Sequence, residues 1–250
     1  MNKDHTNPPG DDLPPEVTPG GSEIIRHELG DRPDDVTYLS EQGMAAIERH
    51  VEEHFGKVEN VLHEIISEGV HLDLLPVHFE EDGEAFTYLG TMGMSALPMT
   101  LPDLEEGDDP DDLPPARAEL FMIIPGRWEV SDDEADWHVM ALKDCGRIPS
   151  LFDSFLAMGH TIPNGDPPEP YTPDCPFVGV LVLSGDILKD GFAELSTDGG
   201  ITAFYALVPL FAEEMDFKLE HGIMALIEKF EECEIDPAHL ADPQRPNVCV

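Results

Sequence analysis

The chain has 250 residues, of which 41% are hydrophobic, so it can bury a sizeable core in one large domain or two small ones. Its 53 acidic residues face only 13 basic ones, and the formal net charge is −40. A field of this sign repels phosphate backbones and anionic lipid headgroups, so we expect neither nucleic acid nor a membrane surface as a partner, whereas a basic protein would be attracted.

The cysteines and the first residues bear on the cellular compartment. Cys145, Cys175, Cys233 and Cys249 form no CxxC pair, which argues against a zinc ribbon or a thioredoxin-like motif. Residues 1–21 lack the apolar segment of a signal peptide, and no apolar run approaches the roughly 20 residues needed to cross a bilayer. The sequence therefore predicts a cytoplasmic protein with reduced thiols.

The first elements are a tail and a helix. Residues 1–36 are rich in proline, glycine and acidic residues, a composition typical of a disordered tail, with a short ordered piece expected at 24–29. Apolar residues then recur at three- and four-residue spacing and predict an amphipathic helix over residues 41–55. Ser40 is its expected N-cap, and Gly56 ends it.

The pattern next changes to that of strands. Strands are predicted over residues 58–66, 71–79 and 85–92, the last two joined by a hairpin loop at 81–84. Pro76 lacks a backbone donor, so the second of these strands is expected at a sheet edge or at a bulge.

The middle of the chain mixes loops with further elements. An acidic loop is predicted over 103–115 and a strand over 117–124. A helix should open at Asp132–Glu134, whose charges suit a helix N-terminus, and fade near Gly146. A short helix around residues 149–155 then leads into a loop from 159 to 176.

Two strands and two helices follow. Apolar runs predict strands over residues 177–183 and 201–208. Pro209 suits the first position of a helix, and Gly222 should divide that helix from a second one over 223–232.

Together these elements predict an α+β fold with a mostly antiparallel mixed sheet flanked by helices, in a single domain. A doubly wound parallel sheet is the weaker alternative, because the strict alternation of strand and helix is missing. The expected domain covers residues 37–235, between the tail at 1–36 and a C-terminal loop at 236–250.

Motifs for catalysis or cofactor binding are missing from the sequence. There is no phosphate loop, no dinucleotide fingerprint, no nucleophile elbow and no HExxH helix. We therefore assign no catalytic, cofactor or metal residue and predict that the chain is not an enzyme. His71, Asp73 and His78 suggest a metal site only as a weak alternative, because no further ligand is identified.

The segment from Gly159 to Tyr171 is long for a loop, yet four prolines stiffen it. Entropy-restricted polar loops of this kind often form binding surfaces. Two alternatives stay open: a rigid connector whose polar side chains cap turns, or an acid–base pair of His160 with Asp166 or Glu169.

The segment 88–100 carries methionines and glycines at the end of a strand. Methionine side chains adapt to varied apolar partners, so this segment could line a groove, although filling the core is the commoner role.

Three segments resemble suppressor of fused domains: GMSALPM at 93–99, GHTIPNG at 159–165 followed by the strand 177–181, and EEMDFKLEHG at 213–222. Their order and spacing match over about residues 40–235, and the length is similar to that of bacterial members. The resemblance implies an α+β fold and protein binding. Animal members hold a transcription factor through a short peptide that pairs with a strand, and bacterial members are similar to immunity proteins that cover secreted toxins.

Our hypothesis is a protein-interaction domain, with an immunity protein against a basic toxin as its specific form. The alternatives are a regulatory partner of a host protein, or a hydrolase or metal-dependent enzyme that uses His160 and Asp166. The acidity itself fits partner steering, solubility or adaptation to high salt, and the sequence leaves the oligomeric state open. The residues expected at the partner surface are Met94, Leu97, His160, Asn164, Asp166 and Glu169.

Overall fold

The computed structural model describes residues 16–26, 35–104, 109, 113–129, 136–197 and 199–250. Within these residues the chain forms helices and strands in an α+β order, which confirms the predicted fold class. In chain order they are α1 (Glu41–Phe55), β1 (Asp73–Glu81), β2 (Glu84–Met92), β3 (Arg117–Pro125), α2 (Trp137–Phe152), β4 (Thr161–Pro163), β5 (Gly179–Ser184), β6 (Glu194–Thr197), β7 (Gly200–Leu210), α3 (Ala212–His221) and α4 (Ile223–Glu232).

All of these strands belong to one seven-stranded sheet in the order β1-β2-β3-β7-β5-β4, with β6 paired to β7 beside this path. Among these described strands only the pair β3 and β7 is parallel, so the sheet is mixed and mostly antiparallel, as predicted. Each face buries its own apolar cluster. Helix α2 contributes Trp137 and Leu142 to one cluster, while α1, α3 and α4 contribute Val51, Met215 and Leu226 to the other.

Several local predictions are confirmed. The Ser40 hydroxyl accepts a hydrogen bond from the Gly43 amide at 3.1 Å, so the predicted N-cap begins α1. Asp82 and Gly83 have φ angles of 50° and 87°, the left-handed pair that a two-residue hairpin turn requires. Strand β1, with Pro76, lies at the edge of the sheet.

The strand predicted over residues 58–66 is wrong. Only Leu62 forms a bridge there, exchanging hydrogen bonds with Leu74 at 2.8 and 3.1 Å. Side chains replace the rest of the ladder: Asp73 Oδ1 accepts the Glu64 amide at 2.9 Å, and Glu64 Oε2 accepts the Leu72 amide at 3.1 Å. These two amides are thus satisfied by side chains instead of by a strand ladder.

The predicted end of a helix near Gly146 is also wrong, because α2 continues through Pro149 to Phe152. A Cβ on residue 146 would lie 3.1 Å from Leu72 Cδ1, so this glycine allows the helix to pack closely on Leu72, the residue before β1. The helix begins after Asp136, whose carboxylate accepts the amides of the first turn. The acidic residues 132–134 that were predicted to open it lie outside the described residues.

Pro209 does not begin a helix. Strand β7 continues to Leu210, which pairs with Gly179 of β5, and α3 starts at Ala212. The predicted loop from 159 to 176 also contains a short strand, β4, which pairs with β5. The predicted division at Gly222 is confirmed, since its φ of 88° ends α3 and the next helix follows at once.

Part of the segment predicted as a tail packs on the domain. Residues 16–26 form a small hairpin with a bridge between Val17 and Glu23. The Gly20 amide donates to the carbonyl oxygen of Leu219 at 2.9 Å, so the hairpin rests on the end of α3. Some of the predicted segments lie outside the described residues: 1–15 and 27–34 of the tail, and 105–108 and 110–112 of the acidic loop.

The C-terminal segment is tied into the core by Arg245. Its guanidinium donates to the Glu214 carboxylate at 2.6 and 2.7 Å, and both side chains are buried. The Arg245 guanidinium also donates to the carbonyl oxygens of Leu240 and Pro209, each at 2.9 Å. Residues 236–250, predicted as a loop outside the domain, therefore close one end of its core.

Candidate protein-binding surface

The predicted surface residues fall on two segments, and the first is the methionine turn, residues 93–99. Met94 is only 4% exposed and belongs to the apolar cluster beneath α2, and Leu97 packs partly buried against the same cluster. For Met94 the structure therefore supports core filling, and its contribution to a partner surface stays a prediction.

Glu119 holds the methionine turn in shape, although the sequence reasoning missed it. Its fully buried carboxylate accepts the hydroxyls of Thr91 and Ser95 at 2.6 Å each and the amides of Gly93 and Ser95 at 3.0 Å each. A carboxylate that accepts backbone amides is strongly stabilised, so this turn is a fixed structural element. The available signal was an acidic residue directly before the apolar run at 120–124 of a predicted strand.

The second segment is the proline loop, residues 159–171. Its first part is attached to the sheet: the Gly159 amide donates to Val182 at 2.8 Å, and the Val182 amide donates to His160 at 2.9 Å. The half-buried His160 ring packs edge-on against Phe155, with ring centroids 5.0 Å apart. His160 is thus placed against an aromatic neighbour at the base of the loop.

The outer part of the proline loop is closed by its own hydrogen bonds. The Asn164 side-chain amide donates to the Glu169 carbonyl oxygen at 2.7 Å, and the Glu169 amide donates to the Asn164 carbonyl oxygen at 2.8 Å. Between them the Asp166–Pro167 peptide bond is cis. Asp166 and Glu169 are exposed, so the loop presents two carboxylates from a defined backbone.

The N-terminal hairpin interacts electrostatically with this loop. Arg26 pairs with Glu16 at 3.0 Å, and its guanidinium also interacts with the charge of Asp166. The hydrogen bond from Arg26 to Glu16 and the negative charges of Glu16 and Asp166 raise the pKa of Arg26. The charge of Asp166 thus acts on Arg26, although the two residues are far apart in the sequence.

Two exposed methionines lie near the start of the proline loop. Met158, directly before the loop, is 54% exposed, and Met224, at the start of α4, is 63% exposed. The two segments are in contact, because a Cβ on Gly159 would lie 3.6 Å from Ile223 Cδ1. The sequence reasoning missed both methionines, since their spacing did not distinguish an outward side chain from a buried one.

The weak metal alternative is not supported by the geometry. His71 and Asp73 do meet, with Nε2 and Oδ1 2.9 Å apart, but His78 bonds instead to the hydroxyl of Thr87 at 2.9 Å. In the described part of the chain, no group of His, Cys, Asp or Glu side chains has an arrangement that could hold a metal ion. Nor does any described helix have the length and apolarity required to cross a membrane.

The architecture is thus that of an α+β domain whose mixed sheet lies between helices on both faces. The model of the suppressor of fused protein (SUFU) family matches residues 68–246, and the chain belongs to this family. The match extends beyond the predicted boundary at residue 235 and includes Arg245. The family is generally one of protein-interaction domains.

Solved structures share this fold. A SUFU homolog from Neisseria gonorrhoeae aligns with a TM-score of 0.57 and 16% identity, over 84% of this chain and 98% of the homolog. A crystal structure of the Sufu–Fu complex aligns with a TM-score of 0.57 and 13% identity, over 82% of this chain and 92% of the matched chain. Drosophila Suppressor of Fused aligns with a TM-score of 0.55 and 14% identity, over 82% of this chain and 51% of the Drosophila chain. A sequence comparison with curated proteins gives no match.

Proposed function

We propose that this chain is a protein-interaction domain that binds a basic protein through the proline loop and its neighbours, and that it acts as an immunity protein against a toxin of that charge. Family membership supports the general role. The net charge of −40 supports a basic partner.

The observation that carries the proposal is the closed, exposed loop between Asn164 and Glu169. A loop that already holds its bound shape loses little conformational entropy when a partner docks. Here the Asn164 amide and the Glu169 backbone fix the loop, while the carboxylates of Asp166 and Glu169 stay available to donors from a partner.

The two kinds of side chain at this surface have different roles. The carboxylates attract a cationic partner and raise its association rate, an effect that weakens as salt screens the charges. Met158 and Met224 supply apolar contact area, and methionine adapts its shape to the partner it meets. The methionines therefore supply most of the affinity, and the acidic side chains set the association rate and the selectivity.

The test is an affinity pull-down from the native host with Asp166→Lys and Glu169→Lys together. We expect this charge-reversed loop to lose the partners that the unchanged chain recovers, because the new cations repel a basic protein. A matched control reverses Glu59 and Glu231, which are also exposed and lie outside the loop. Recovery of the same partners by the loop variant would show that the loop is not the binding site.

A regulatory partner of a host protein would use the same surface. Gene context separates the two roles: a toxin gene next to this one supports immunity, and its consistent absence supports regulation. The enzyme alternative based on His160 and Asp166 predicts a stoichiometric transition metal or a hydrolytic activity, which elemental analysis and an activity screen of the purified protein would detect.

A further inference from the structure

A groove of about 390 Å³ lies at the tip of the β1–β2 hairpin, where the hairpin meets residues 187–188 and 236–239. Its volume falls at the lower end of the about 300–1,000 Å³ that is common for ligand pockets. Strand β1 is at one end of the strand order and β4 at the other, so this groove is separate from the proline loop.

The floor of the groove is apolar. Phe86 and Ala238 are buried, and the half-buried side chains of Ile187 and Leu188 complete this surface. Such a floor matches an aliphatic stem that leaves water, since long charged side chains bury their methylene groups while the charged end stays polar.

The rim of the groove is acidic. Asp82, Glu84 and Asp236 are exposed, and Glu81 lies beside them. Donors from the chain itself already bind two of these carboxylates: His239 Nε2 lies 3.2 Å from Glu84, and the Lys189 ammonium contacts Glu81. Glu84 nevertheless stays 64% exposed, and Asp82 is exposed beside it, so both carboxylates can accept further cationic N–H donors.

We propose that this groove binds an arginine side chain of the protein partner, with its stem on Phe86 and Leu188 and its guanidinium on Asp82 and Glu84. The inference rests on the proposed protein-binding function and deepens it by naming what the partner contributes here. Charge complementarity selects a cation, and the apolar floor selects one with a long stem. Arginine suits the site better than lysine because its planar guanidinium bonds several carboxylate oxygens at once.

The test uses the full chain and N-acetyl-L-arginine amide as the probe, with backbone amide NMR shifts as the readout. We expect saturable shifts at Glu84, Phe86 and Ala238. N-acetyl-L-citrulline amide has the same shape without the charge and should give no saturable shifts. Free L-arginine has the same net charge, because its α-ammonium offsets its carboxylate, so it should bind no more tightly than the blocked probe.

Paired variants separate the groove from the general acidity of the chain. Asp82→Asn with Glu84→Gln should weaken probe binding about tenfold, because two charge-assisted bonds are lost. Asn tolerates the left-handed conformation of residue 82, so the hairpin should keep its shape. The control pair, Glu59→Gln with Asp216→Asn, changes the charge equally and should alter binding less than about twofold.

Three outcomes would overturn the inference: shifts spread over the whole acidic surface, equal binding of the citrulline probe, or tighter binding of free L-arginine than of the blocked form. The last would indicate an amino-acid ligand instead of a protein. Saturable probe binding at the groove supports the inference even if the loop pull-down fails, so the two proposals can fail separately.

Discussion

Removing the buried charge of Arg245 should be the most damaging single change in the C-terminal segment. In Arg245→Met the new side chain has room on the rings of Phe177, Phe211 and Phe230, which lie 4.8–5.3 Å from the guanidinium carbon. The Glu214 carboxylate would remain fully buried without its cation.

The expected magnitude follows from that isolated carboxylate. Removing one partner of a buried ion pair lowers the free energy of unfolding by about 3–5 kcal/mol, whereas the total stability of a typical domain is about 5–15 kcal/mol. With a urea dependence of about 3 kcal/mol per molar, the unfolding midpoint should fall by roughly 1–1.7 M.

The assay is urea unfolding followed by the fluorescence of Trp128 and Trp137, with Glu214→Met and the double variant as companions. The double variant should be more stable than the sum of the single effects, because no uncompensated charge is left inside. Some loss should remain, since Glu214 also accepts the amides of Phe211 and Val248. A loss below about 1 kcal/mol in Arg245→Met would refute the reasoning.

Substitutions at three further residues test other buried polar groups. Glu119→Leu should lower the free energy of unfolding by at least about 3 kcal/mol, because it leaves the Gly93 and Ser95 amides unpaired. Glu119→Gln should lower it by less than half of that, since the side-chain amide oxygen can keep most of the hydrogen bonds. Thermal unfolding compares the two variants. Tyr88→Phe should raise stability by about 1 kcal/mol, because the buried Tyr88 hydroxyl has no hydrogen-bond partner among the described residues; an unchanged or lower urea midpoint would contradict this. Burial acts to raise the pKa of Glu64. Hydrogen bonds from Lys143 and the Leu72 amide, together with the charge of Arg147, outweigh the effect of burial, so the pKa of Glu64 lies below its ordinary value of 4.5. The stability from Glu64 is therefore present above that value and lost as pH falls through the folded pKa, so Glu64→Gln should flatten the acid limb of a stability–pH curve.

Local signals predicted much of the fold. The cap at Ser40, the stop at Gly56 and the Asp82–Gly83 turn each depend on residues that are close in sequence, and each was predicted correctly. Pro76 correctly indicated an edge strand, because a missing backbone donor has the same consequence in any fold.

The errors arose where distant residues decide the outcome. The strand predicted over residues 58–66 failed because the carboxylates of Glu64 and Asp73 satisfy amides that a ladder would have used. Gly146 suggested a helix end, yet it serves contact with Leu72, which no local pattern reveals.

At the candidate surface too, the sequence revealed the short-range features and missed those that depend on distant residues. The proline loop was chosen from its own composition, and its closure by Asn164 and Glu169 is a short-range feature. Met94 was placed at the surface because a methionine in a turn has the same sequence pattern whether it faces solvent or the core. The Arg26 neighbourhood and the groove at the hairpin tip depend on residues more than 100 positions apart, which the sequence alone does not connect.

The hydrogen bonds that close the loop between Asn164 and Glu169 have a consequence for how binding specificity can evolve. The side-chain closure stays within the loop, so residues 165–168 can change without disturbing the sheet. The methionine turn differs, because its amides depend on Glu119 in β3 and any change there reaches the core. Under the proposed function, related chains would acquire new partners by exchanging this one short segment, and the same segment is a site for grafting a foreign recognition sequence.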